Sequence, residues 1–171
     1  MDRNNNVKES KEKFPLLGVG PKILTALIPF FILFGTLNSI YYRFFKITIN
    51  FYCLFVIGSI LIPFGIFIFI YSEKTMRSAY NESELITTKI YAYVRHPMYA
   101  VWGLLILPGI LCFFNSWLLF FILPIYYIIV RIFIRKEEKF LLKKYSNAYV
   151  IYKKNVNAFF PKFKKYKPHK H

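Results

Sequence analysis

Four apolar runs constrain this chain more than any other feature, because they are too long for the core of a soluble domain of 171 residues. Ile23 to Tyr42 and Phe51 to Tyr71 each supply about 20 residues, enough to cross a hydrocarbon layer of roughly 30 Å at about 1.5 Å per residue. Met98 to Phe114 and Trp117 to Ile134 are shorter, and only Asn115-Ser116 parts them. That break leaves room for nothing but a tight helical hairpin. Backbone polar groups in lipid must be satisfied within the segment, so each run is expected to be a helix. The fold class is therefore all-α: a polytopic membrane protein of about four transmembrane helices, followed by a cytosolic C-terminal helical segment. Pro108 and Pro124, near the middles of the last two runs, allow kinks, and Gly103 and Gly109 allow close helix packing.

Charge sorts the chain further. The net charge is +16, from 24 Lys and Arg against 8 Asp and Glu. Such a balance suits nucleic acid or an anionic membrane surface, and the apolar runs favour acidic lipid headgroups over nucleic acid. Residues 1–22 read as a polar arm broken by Pro15 and Pro21, 23–161 as the membrane domain, and 162–171 as a basic tail. The first run is full length and lacks an Ala-x-Ala site, so it is a span and not a signal peptide. The connection 72–95 carries four Lys and Arg, the chain after Ile134 carries twelve, and Asn115-Ser116 carries none. Both termini and the 72–95 connection are then expected in the cytosol, as in a bacterial inner-membrane protein, with Arg43 and Lys46 running against the bias. Cys53 and Cys112 lie inside apolar runs, and His169 and His171 belong to the tail. No metal site is expected.

Arg95 and His96 stand where the chain passes from the polar connection into the third apolar run. The stretch reads Tyr91-Ala-Tyr-Val-Arg-His-Pro-Met-Tyr99. Pro97 suits the first helical position, and the helix start behind it favours anions. Taken singly, Arg95 is a snorkelling cation, His96 an interfacial histidine, and Tyr91, Tyr93 and Tyr99 members of an aromatic belt. With the 72–95 connection and the C-terminus both cytosolic, these residues share a membrane face with the chain beyond Ile134.

That part of the chain reads as a charged helical continuation, Arg131-Ile-Phe-Ile-Arg-Lys-Glu-Glu-Lys-Phe-Leu-Leu-Lys-Lys-Tyr145. Residues three, four and seven apart share a helix face. Glu138 is thereby set among Ile134, Leu141, Leu142 and Tyr145, and Glu137 among Phe133, Phe140, Leu141 and Lys144. Neither has a Lys four residues on, and only Arg135 lies in reach of Glu138. Carboxylates beside an apolar stripe need a partner or a ligand. A functional role for at least one of the two is expected, with a purely structural pairing to Arg95 as the alternative.

Together these pieces resemble the isoprenylcysteine carboxyl methyltransferase and phospholipid methyltransferase superfamily of integral membrane enzymes. The matching text is Leu85 to Tyr99, the short apolar hairpin, Glu137-Glu138, Leu141 to Tyr152 and a closing Phe160-Pro161. Where the resemblance implies glycine, the chain has Lys89, Val101 and Ser146, and Ala158 replaces an arginine near the closing proline. The resemblance implies S-adenosylmethionine bound on the cytosolic side, between the Arg-His-Pro-x-Tyr segment and the Glu-Glu helix, with the C-terminal segment closing over it. Carried over, Arg95, His96, Pro97, Tyr99, Glu137, Glu138, Tyr149 and Tyr152 would hold the cofactor, and His96 and Glu138 would be the catalytic candidates.

Methyl transfer from a sulfonium asks mostly for positioning and electrostatics. An anionic acceptor needs no base, whereas an amine must lose a proton to His96 or a glutamate. The expected activity is methylation of a lipid-like or hydrophobic acceptor, an isoprenylcysteine carboxylate being favoured over a phospholipid amine or a small thiol. A non-catalytic membrane protein of the same fold, binding acidic lipid or a partner through its basic tail, is the alternative. A transporter fits less well, because the spans hold almost no ionisable residue at their middles.

Overall fold

The computed structural model describes residues 20–82, 85–162 and 164–167, so most of the N-terminal arm and the tail histidines lie outside the described residues. The apolar runs become helices. α1 spans Gly20–Ile40 and α2 is the single turn Tyr42–Phe45. α3 runs Phe51–Glu82. α4 (Pro97–Val101), a π-helical stretch (Trp102–Ile106) and α5 (Leu107–Cys112) form one continuous rod. The 3-10 turn Leu118–Phe121 leads into α6, Ile122–Asn155. No strand occurs among the described residues.

Three helices are long and apolar enough to cross a membrane: Gly20–Ile40, Phe51–Ser78 and Leu118–Asn155. The rod Pro97–Cys112 is about 24 Å long at 1.5 Å per residue, short of the roughly 30 Å hydrocarbon layer. Of the four expected spans, three are helices long enough to cross, and the third run is a shorter apolar helix. The π stretch lies just ahead of Pro108, whose missing N–H interrupts the regular ladder.

The connection after the second run differs from expectation. It begins as helix, because α3 runs on from Tyr71 to Glu82: of the polar tract Asn81-Glu82-Ser83-Glu84, whose composition reads as a loop, the first two residues are helical and the last two lie outside the described residues. Ser72 and Thr75 are buried there, each bonding back to a carbonyl four residues earlier (2.7 and 2.9 Å). Glu73 and Arg77 pair on the exposed side one turn apart.

The two ends of the bundle carry different connections. At one, Ile47 N–H donates to the Asn115 carbonyl (3.2 Å) and Trp117 N–H to that of Phe45 (3.0 Å), so the first joint lies over the hairpin turn. At the other, the 85–96 segment meets the chain beyond Ile134. Between them, helix contacts in lipid depend on packing, since the lipid tails are as apolar as the side chains. α3 and α5 therefore meet at small residues: a Cβ on Gly58 would lie 2.7 Å from the Gly109 carbonyl oxygen. Gly103 gives way to the Tyr126 ring in the same manner. α1 closes the bundle by burying Ile23 and Leu27 in a cluster with Leu111, Ile122 and Val130.

Beyond Ile134, α6 leaves the apolar section and reaches Tyr145, and at Ser146 its backbone turns out of helical geometry (φ 44°, ψ −119°). The kink redirects residues 147–155 and the chain behind them back over the 85–96 segment.

Candidate active site

The site is built where two chain segments far apart in sequence run side by side. Lys89, in the left-handed region at φ 53°, opens the turn Lys89–Ala92, and Tyr91 donates from its hydroxyl to the Ser72 carbonyl at 3.4 Å. After it the backbone is extended. Val94 forms a parallel bridge with Asn157, with Arg95 N–H donating to the Asn157 carbonyl (2.8 Å) and His96 N–H to that of Ala158 (3.1 Å). Pro97 then takes the first helical position, as its ring and missing N–H favour.

Glu138 is the electrostatic hub. Its Oε1 accepts from Arg95 Nη2 at 2.6 Å and its Oε2 from Lys153 Nζ at 2.6 Å, while His96 Nε2 lies 3.5 Å from Oε1. Arg95 Nη1 donates to the backbone carbonyls of Lys153 (2.8 Å) and Val156 (2.6 Å). One guanidinium therefore ties α6 to the segment beyond the kink. Burial on its own would raise the Glu138 carboxyl, but the His96 imidazole, the Lys153 ammonium and the Arg95 guanidinium outweigh it and hold the group well below the usual carboxylate range.

Glu137, one residue earlier, is in the opposite condition. Burial pushes its carboxyl up; charge on His96 and a hydrogen bond from Tyr99 oppose the shift, and the charge of Glu138 adds to it. Its Oε2 is sealed from solvent and has no hydrogen-bond partner. Adjacent carboxylates in one helix thus differ sharply: one is matched by the Arg95 guanidinium and the Lys153 ammonium, the other left with an unsatisfied oxygen.

These groups border a cleft between the 85–99 segment and α6. Tyr149 and Tyr152, three residues apart and so on one helix face, form its roof with 1% and 2% of their surface exposed. Tyr152 locks the roof by donating to the Tyr91 carbonyl at 2.6 Å. Of the residues singled out from the sequence, Arg95, His96, Pro97, Tyr99, Glu137, Tyr149 and Tyr152 line the cleft. Glu138 does not. It stands behind the wall, held by Arg95 and Lys153.

Sequence reasoning missed several neighbours. Tyr91 is a cleft wall, and Met76 reaches the cleft from the polar extension of α3. Lys153 is the second cation on Glu138, a pairing with no local signature. Phe140, Leu141 and Lys144 were signalled by their helical spacing from Glu137, and all three line the cleft.

No curated protein and no solved structure matches the chain. A family model does: residues 44–148 match the family described as phospholipid methyltransferase. The match begins in α2, takes in α3 and the glutamate pair, and stops just before Tyr149. It covers more than half of the 171 residues and includes Arg95, His96, Pro97, Tyr99, Glu137 and Glu138. The chain is thus an integral membrane protein that belongs to the phospholipid methyltransferase family.

Proposed function

We propose that the cleft binds S-adenosylmethionine and that the protein transfers a methyl group to an acceptor presented from the bilayer. The observation that carries this reading is the unpaired, sealed Glu137 Oε2 at the wall of a cleft rich in tyrosine. A carboxylate oxygen without a partner is costly, and a cation entering the cleft removes that cost. The residues fit the group. Glu137 would meet its ammonium or sulfonium, and Tyr91, Phe140, Tyr145, Tyr149 and Tyr152 offer flat surfaces to an adenine. Lys144 is the donor for its carboxylate. When bound, the cofactor supplies an electrophilic methyl on a sulfonium.

The chain's own part is positioning and exclusion of water. Tyr99 orients Glu137 through its hydrogen bond. Arg95 and Lys153, through Glu138, keep the roof tyrosines in place. His96 lies 3.5 Å from Glu138 Oε1 and is the group best placed to take a proton from an amine acceptor. A carboxylate or thiolate acceptor would need no such step. A phospholipid amine therefore stands beside an isoprenylcysteine carboxylate as the acceptor. Because Lys and Arg concentrate at the end of the bundle that holds the cleft, we place that end and both termini in the cytosol, as in a bacterial inner membrane.

The test is binding of S-adenosylmethionine to the purified, detergent-solubilised full chain by equilibrium dialysis. Saturable binding is expected, weakened at least tenfold by Glu137→Gln. No binding to a folded sample would favour a non-catalytic protein of the same fold. Where binding is seen, following radiolabelled methyl into a lipid extract identifies the acceptor.

A further inference from the structure

The chain beyond the kink does more than roof the cleft. It carries most of the positive charge that comes after Ile134, and the only two acids after that residue, Glu137 and Glu138, face inward. Lys154, Lys164, Lys165 and Lys167 are exposed, as are the apolar Ile151 (44%) and Phe160 (58%). Cations interleaved with exposed apolar side chains are the pattern of a surface that lies in a headgroup layer. A trailing basic tail would say little about where its charges sit. This one is fixed by its backbone: besides the Val94–Asn157 bridge, Lys162 N–H donates to the Tyr93 carbonyl and Tyr166 N–H to that of Ala92, each at 3.0 Å. The lysines are thereby held alongside residues 92–96, the turn from which Pro97 begins the short membrane rod. They stand at the end of the bundle where that rod begins.

We propose that this basic and aromatic face, residues 151–162 and 164–167, docks on anionic lipid headgroups and that docking holds the roof over the cleft. Continuity with the membrane spans favours lipid over nucleic acid, which would have to reach the same lysines at the bilayer surface. Each lysine near an anionic surface contributes about fivefold to association, and the gain fades as salt shortens the screening length. Two engaged lysines therefore exceed tenfold.

The experiment is hydrogen exchange on the full chain in nanodiscs of phosphatidylcholine alone and of phosphatidylcholine with about 30% phosphatidylglycerol. Peptides from 147–167 are expected to exchange at least tenfold more slowly in the anionic discs at low salt, and α1 and α3 to exchange equally in both. The combined substitution Lys154→Gln, Lys164→Gln, Lys165→Gln and Lys167→Gln should abolish the difference, while Arg at the same four positions should keep it. Equal exchange in both discs, or a difference that survives the glutamine variant, overturns the proposal. So does protection by a soluble oligonucleotide in neutral discs with no effect of anionic lipid, which would assign the surface to nucleic acid. None of these readouts requires a bound cofactor, so the result stands apart from the reading of the cleft.

Discussion

Arg95→Ala is the perturbation that most directly tests how the site is held together. The side chain is only 8% exposed and links three groups: Glu138 and the carbonyls of Lys153 and Val156. Its loss leaves the part-buried Val156 carbonyl unpartnered, at about 1–3 kcal/mol, whereas the Lys153 carbonyl lies nearer solvent and counts for less. Glu138 keeps Lys153, so the lost ion pair adds only part of the cost of breaking a buried one. A total of about 3 kcal/mol, confined to the segment after Ser146, corresponds to roughly a hundredfold more frequent opening. Trypsin reads this directly, because Lys153 and Lys154 lie within the segment. Where opening and closing outpace cleavage, nicking tracks the open population. Cleavage there is expected to accelerate about a hundredfold, with the transmembrane helices still intact and cofactor binding lost. Arg95→Lys should recover only part of the protection, since an ammonium does not reproduce the two-pronged fork. Unchanged nicking, or loosening spread evenly through the bundle, would refute the idea that Arg95 is the clip of the roof.

The same geometry sets other outcomes. Burial raises the Glu137 carboxyl, so its contribution to stability is complete below the ordinary carboxylate range and is lost as pH rises through the folded value. Thermal melts of Glu137→Gln should therefore gain on those of the parent protein as pH rises above the ordinary carboxylate range, even as cofactor binding falls; a variant less stable at neutral pH would contradict this. Lys89→Gly and Ser146→Gly should each raise stability by about 1 kcal/mol, roughly 2–4 °C in a chain of this length, because both residues hold a positive φ that glycine adopts freely. A lower melting point for either would show that its side chain makes up for the strain. Gly58→Ala should destabilise by about 1–3 kcal/mol, since the new methyl meets the Gly109 backbone with no flexible side chain to yield; unaltered melting would mean that α3 and α5 are freer to separate than their contact implies.

The sequence carried the outline of the fold in its apolar runs, because hydrocarbon thickness and backbone satisfaction leave few choices. It erred where polar residues continue a helix, as from Ser72 to Glu82. Hydropathy marks where apolar text gives way to polar, not where a helix ends. Nor does hydropathy alone distinguish a short rod such as Pro97–Cys112 from a full crossing. Lys89 and Ser146 stand where the family resemblance implies glycine, and both positions hold left-handed backbone in this fold. There the sequence signalled conformation, though the residues themselves disguised it.

The candidate site divides in the same way. Arg95, His96, Pro97, Tyr99 and the glutamate pair were legible because they interrupt apolar text and because helical spacing put the carboxylates beside an apolar stripe. Which glutamate does what was decided by tertiary structure. Neighbours in a helix point about 100° apart, so both cannot face one cleft. Contacts across 43 residues to Arg95 and 15 to Lys153 claim Glu138 and leave Glu137 to the cavity. Local periodicity describes faces of single helices; only the packed chain determines what each face meets.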